Sequence, residues 1–171
     1  MLKNKSILKI IAVLTIIVMS MFALTGCGKN DKEEEKKKEE TAYEEPVKNL
    51  VEGLSEANAE KFAKAFPPYL ADQMKEIFTA DYLQKSLEEA KEQYGENVSM
   101  TYTVTSKEEI SEDDIKTKEE DIKSSFEKEV DITKGYKLNI EITTKGDDAE
   151  DKDTSSFDVY EMDGNWYILG F

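Results

Sequence analysis

Three groups of residues have types and spacing that could do chemistry. Cys27 is the only cysteine in 171 residues, and histidine is absent. Without histidine the commonest general base near neutral pH is missing. A Ser/His or Cys/His nucleophile cannot be assembled either. Asp158 and Tyr160 bring an acid and a phenol two positions apart, so a strand would present both on one face, solvent-facing or half-buried. A carboxylate of raised pKa beside a tyrosine can move a proton, yet nothing marks Asp158 out among 38 acidic residues. Gly146-Asp147-Asp148-Ala149-Glu150-Asp151-Lys152-Asp153 has the oxygen density of a calcium loop. With Asp151 as its first position, however, Ser156 falls where such a loop needs glycine and Met162 where it needs glutamate. A solvated hairpin loop is the expectation there. Zinc lacks ligands without histidine or a free thiol, and no Gly-rich phosphate loop occurs. No catalytic, metal-binding or cofactor-binding residue is expected.

Cys27 has a different chemistry. Lys3, Lys5 and Lys9 precede the apolar run Ile10-Ile11-Ala12-Val13-Leu14-Thr15-Ile16-Ile17-Val18-Met19, which closes on small residues before the cysteine. Charge, apolar core and small-residue cleavage site, in that order, make a secretory signal. The run to Leu24 is shorter than the about 20 apolar residues of a membrane-spanning helix. Leu24-Thr25-Gly26-Cys27 resembles the lipobox of bacterial lipoproteins. The resemblance implies a diacylglyceryl group on the Cys27 sulfur, cleavage before Cys27, and a chain anchored on the extracytoplasmic side of the cell membrane. Two acyl chains hold a protein stably where one is marginal.

Charge separates the tether from the body. Residues 1–26 are the expected signal peptide and residues 27–43 a lipidated, Lys/Glu-rich tether. Its run from Gly28 to Glu40 holds five lysines and six acids. From Thr41 to Phe171 there are 15 lysines and 32 acids, a net charge of −17. No arginine occurs, and nucleic-acid binding needs clustered cations, so no nucleic-acid partner is expected. A body this acidic is also repelled by anionic headgroups, which attract polybasic segments. The run of 13 residues from Gly28 to Glu40 reaches at most ~45 Å extended and averages ~20 Å as a coil. With Cys27 committed to lipid no disulfide remains, so stability rests on an apolar core. Lysine as the sole strong cation, with heavy Ile, Lys and Glu usage, suggests an AT-rich Gram-positive bacterium, with the domain facing the wall.

Helical spacing governs the first half of residues 44–171. Val47, Leu50, Val51 and Leu54 repeat at i, i+3, i+4, i+7 behind Pro46. Ser55 or Asn58 can cap a helix with Ala59, Phe62, Ala63 and Phe66 on one face, stopped by Pro67-Pro68. A short helix is predicted over Leu70, Met74, Ile77 and Phe78, and a longer one over Leu83, Leu87, Ala90 and Tyr94, ending at Gly95. The period then changes to two: Val98, Met100, Tyr102 and Val104 alternate with polar residues. Ser111 with Glu112, Asp113 and Asp114 starts a mostly exposed helix bearing a thin stripe of Ile115, Ile122 and Phe126. Strands follow at Tyr136–Ile142, Phe157–Met162 and Trp166–Phe171, with a polar loop at 145–153 and a tight Asp163-Gly164 hairpin.

This order, closing on Asp163-Gly164-Asn165-Trp166-Tyr167-Ile168, resembles the NTF2-like superfamily and its lipoprotein branch. Within that branch, the stretch Val51-Glu52-Gly53-Leu54-Ser55-Glu56-Ala57-Asn58-Ala59-Glu60-Lys61-Phe62 resembles the helical part that precedes the sheet. The resemblance implies a single α+β domain, an NTF2-like cone of N-terminal helices packed on a curved antiparallel sheet of about four strands. It also implies a concave face whose candidate lining is Met100, Tyr102, Tyr136, Ile140, Val159 and Trp166, residues that would equally serve to fill a core. The functional expectation is a non-catalytic binding module at the envelope, with a protein, peptide or small molecule as partner. A structural envelope lipoprotein without a pocket is the alternative, and a carboxylate-based enzyme a third. A filled concave face would favour the structural alternative; an open pocket with a buried acid would favour the enzyme.

Overall fold

The computed structural model describes residues 41–170. After a 3-10 turn at Ala42–Glu44 come α1 (Glu45–Ser55), α2 (Ala59–Ala63), α3 (Pro68–Ile77) and α4 (Ala80–Tyr94). Strand β1 (Ser99–Glu109), helix α5 (Glu112–Phe126) and strands β2 (Ile132–Lys145), β3 (Glu150–Met162) and β4 (Asn165–Gly170) complete the chain. The fold is α+β, with helices on a curved, unclosed antiparallel sheet of order β1-β2-β3-β4.

Local signals set the helix ends. Pro46 sits in the first turn of α1, where a missing N–H costs nothing. The Asn58 side chain caps α2 by accepting from the Lys61 N–H at 3.0 Å. Thr79 caps α4 and Ser111 caps α5 through equivalent bonds of 3.2 Å each. Gly53 lets α2 cross α1 closely: a Cβ there would lie 2.5 Å from the Phe62 backbone nitrogen. At the β3–β4 turn Asp163 and Gly164 both take positive φ, 52° and 73°, as a type I′ hairpin requires.

Helices α1 to α4 bury one face of the sheet. Val47, Leu50, Phe62, Met74, Leu83, Leu138, Ile140, Phe157, Val159 and Ile168 form its centre, each shielded from solvent. On the other face, α5 lays its Ile115, Ile122 and Phe126 stripe over Ile132, Tyr160 and Met162. Among the described residues the rest of this second face carries no helix, and Thr101, Thr103 and Thr105 on it are exposed. The two helical layers meet where Tyr69 of α3 packs on Phe126 of α5, ring centroids 5.3 Å apart. Beside them the Ile168 N–H of β4 donates to the Ala65 carbonyl at 2.8 Å, so this end of the sheet is covered. The β1 edge has no strand beyond it among the described residues.

Three strands are longer than their apolar alternation predicts, β1 running on past Val104 to Glu109. β2 begins at Ile132, and β3 begins at Glu150, leaving a connecting loop of 146–149 in place of 145–153. Asp151 to Thr154 pair with Glu141 to Thr144 along the backbone, and the Lys152 ammonium donates across the pair to Glu141 at 2.7 Å.

Candidate functional site

The six candidate lining residues share one face, but two of them are core and Tyr102 and Trp166 line separate surface grooves. Ile140 and Val159 are fully buried in the core. Met100, Tyr102, Tyr136 and Trp166 are half-buried and pack around its margin. The concave face is filled because α1 and α2 bring Leu50, Val51, Phe62 and Phe66 onto it.

Recognition chemistry gathers where Trp166 reaches the surface. Its ring stacks on Tyr136, centroids 5.3 Å apart and planes 7° from parallel. Tyr43 meets both rings edge-on, at 5.2 Å from Tyr136 and 6.2 Å from Trp166. The Lys107 ammonium lies 4.3 Å from the Tyr43 ring centroid and 4.6 Å from that of Tyr136, an arrangement stabilised by ring quadrupoles. Beside this cluster a groove of about 370 Å³ runs between α1–α3 and the start of β4. Phe66 and Trp166 give it apolar walls, Asn49 and Asn165 amides, and Glu45 and Lys64 opposite charges. Such a lining can orient a polar chain by hydrogen bonds while an aromatic wall holds its apolar part. The tight Asp163-Gly164 turn fixes Trp166 against β3, where it pairs with Glu161.

Asp158 and Tyr160 lie together on the second face, in a groove of about 480 Å³ that also holds Asp114, Lys118 and Lys137. Tyr160 departs from the sequence expectation: it is buried beneath α5, at 3% exposure, because Gly135 opposite it leaves room for its ring. Burial, with the nearby charges of Asp158 and Asp114, pushes its phenol pKa up. The hydroxyl is thus held neutral at ordinary pH and is a poor proton acceptor.

The acid-rich 146–153 segment is built into the fold. The Asp148 and Ala149 N–H groups donate to the Tyr94 carbonyl at 2.9 and 3.3 Å, closing the C-terminus of α4. Asp147 accepts from the Asn97 side-chain amide at 2.8 Å. Asp151 is buried and accepts from the Tyr94 hydroxyl at 3.3 Å and the Lys152 N–H at 2.8 Å. Among the described residues no three acids, histidines or cysteines group as metal ligands would. No helix among them is long and apolar enough to cross a membrane. Cys27 and the rest of the signal and tether lie outside the described residues.

Sequence reasoning missed two members of the aromatic cluster. Tyr43 falls in the predicted tether, and its one signal is an aromatic isolated among charged residues just before Pro46. Lys107 carries no signal at all, since its role depends on β1 lying beside β2. No protein-family model matches the chain, and no curated protein matches it in sequence.

Proposed function

We propose that the protein is a lipid-anchored, extracytoplasmic interaction module of the NTF2-like kind, non-catalytic, which holds a protein or peptide partner on its outer surface. Leu24-Thr25-Gly26-Cys27 supports the anchor, and the charged tether supports a domain held off the membrane. The observation that carries the rest is the surface cluster of Trp166, Tyr136 and Tyr43 beside the groove between α1–α3 and β4. Core side chains fill the concave face among the described residues, so recognition falls to surfaces such as the Trp166 groove. The missing histidine argues in the same direction.

The same filled core favours a second reading, a structural envelope lipoprotein with no ligand. One experiment separates the two. A soluble chain from Gly28 to Phe171 and its Trp166→Ala variant are immobilised and exposed to envelope extract, with retained proteins identified by mass spectrometry. The interaction reading expects a partner retained by the parent and lost by the variant while its circular dichroism is unchanged. No retained protein would favour the structural reading, and the same set on both would place the interaction away from the Trp166 groove.

A further inference from the structure

Among the described residues the β1 edge has no strand or charged side chain guarding it from Ser99 to Ser106. Natural sheets guard such edges with charge or proline. Yet Ser99-Met100-Thr101-Tyr102-Thr103-Val104-Thr105-Ser106 holds neither, in a chain that is 36% charged. The bulge between Val104 and Ser106, and Lys107 to Glu109 behind it, protect only the far end.

Backbone polarity on this edge follows from one bond. The Met100 N–H donates to Ser55 Oγ at 3.4 Å, away from β2. Both backbone groups of a residue in an antiparallel strand point to the same side, and the side alternates. Tyr102 and Val104 therefore direct N–H and C=O outward, before the bulge shifts the alternation. Alongside runs an open groove of about 550 Å³ between α1 and β1, lined by Glu44, Lys48, Glu52, Tyr102, Thr103 and Val104.

We propose that β1 accepts an extended basic peptide as a fifth strand, its main chain pairing with Tyr102 and Val104 and alternate Lys or Arg side chains lying in the α1–β1 groove. The stem of such a side chain would cover Tyr102 and Val104, and its charge would reach Glu44, as long cationic side chains do over apolar surface. Glu52 is already engaged by Lys61 at 2.7 Å and by Lys48 at 3.9 Å, so Glu44 is the carboxylate of this groove that an incoming cation would meet. Residues of the opposite alternation would lie beside the exposed Thr101 and Thr103. A second copy of the chain is a poorer occupant, because it brings another net charge of −17 and the same two glutamates. The inference rests on the reading of the domain as a surface-interaction module, but it uses a different surface from the Trp166 groove.

The test uses a nine-residue peptide of alternating threonine and lysine, with a threonine–glutamate peptide as control, on the Gly28–Phe171 chain. Amide resonances report binding and hydrogen exchange. The lysine peptide should slow exchange at Tyr102 and Val104, and the glutamate peptide should not. Val104→Pro removes an outward N–H without breaking a β1–β2 bond and should abolish that protection. Glu44→Lys, at a half-buried rim position outside the apolar core, should weaken the lysine peptide about tenfold. Unchanged exchange at millimolar lysine peptide, or equal binding of both peptides, overturns the proposal. Protection of Tyr102 and Val104 that appears without peptide and grows with protein concentration overturns it in favour of a second copy. Trp166→Ala should leave peptide protection intact, so loss of the Trp166 groove and loss of the β1 site are read separately.

Discussion

The Tyr94 hydroxyl donates to the buried carboxylate of Asp151 at 3.3 Å, fastening the last residue of α4 to the start of β3. Removing that donor with Tyr94→Phe leaves Asp151 with the Lys152 N–H alone. A buried acceptor stripped of a partner costs about 1–3 kcal/mol. The urea midpoint of Tyr94→Phe should fall accordingly, and that of Asp151→Asn, which keeps an oxygen acceptor, should fall less. Equal midpoints for Tyr94→Phe and the parent would show that the bond adds nothing.

Gly53→Ala sets two effects against each other. Alanine in a helix gains up to about 1 kcal/mol over glycine. The new Cβ, however, would sit 2.5 to 2.7 Å from three Phe62 atoms, two of them backbone, and overpacking typically costs about 1–3 kcal/mol. Backbone cannot swing aside as a flexible side chain can, so the clash wins. Thermal unfolding should show a lowered midpoint, and a raised one would mean that α1 and α2 separate freely.

Stability should decline in alkali. Burial raises the phenol pKa values of Tyr69 and Tyr102 from 10.0 to about 12. The folded state therefore keeps protons that the unfolded state loses, and the stabilisation, complete below about pH 10, disappears as pH rises toward 12. The Tyr69 hydroxyl is buried with no hydrogen-bond partner. Tyr69→Phe should then be neutral or stabilising by up to about 1 kcal/mol at pH 7, and should flatten the alkaline decline. Denaturant titrations at pH 7, 9 and 11 read both effects, and a destabilised Tyr69→Phe at pH 7 would contradict the assignment.

Cys27→Ala tests the anchor. Without the thiol there is no acceptor for the diacylglyceryl group, and the precursor should accumulate uncut. A variant still cleaved and still recovered with membranes, by immunoblot of fractionated cells, would remove the lipoprotein reading.

Much of the architecture was legible where side chains report it. The apolar spacing of α1, the caps at Asn58 and Ser111, and the Asp163-Gly164 turn all occur as their residues predict. The start of β3 was not legible. Asp151, Lys152, Asp153 and Thr154 have no apolar alternation, and they are strand because β2 pairs with them and α4 packs Tyr94 against Asp151. Of the candidate site, Trp166 and Tyr136 were visible as strand aromatics, whereas their stacking with Tyr43 joins three parts of the chain remote in sequence.

By itself the sequence determined the element order, the α+β class, the charge of the body and the Leu24-Thr25-Gly26-Cys27 motif. These depend on local spacing, on composition and on a short motif. Only the tertiary structure decided that the concave face is filled, that Tyr160 is buried while Trp166 lines a groove, and that β1 is left as an open edge. Each of these depends on which surfaces meet. The same alternating strand can line a pocket or fill a core, and the choice belongs to the helices packed against it.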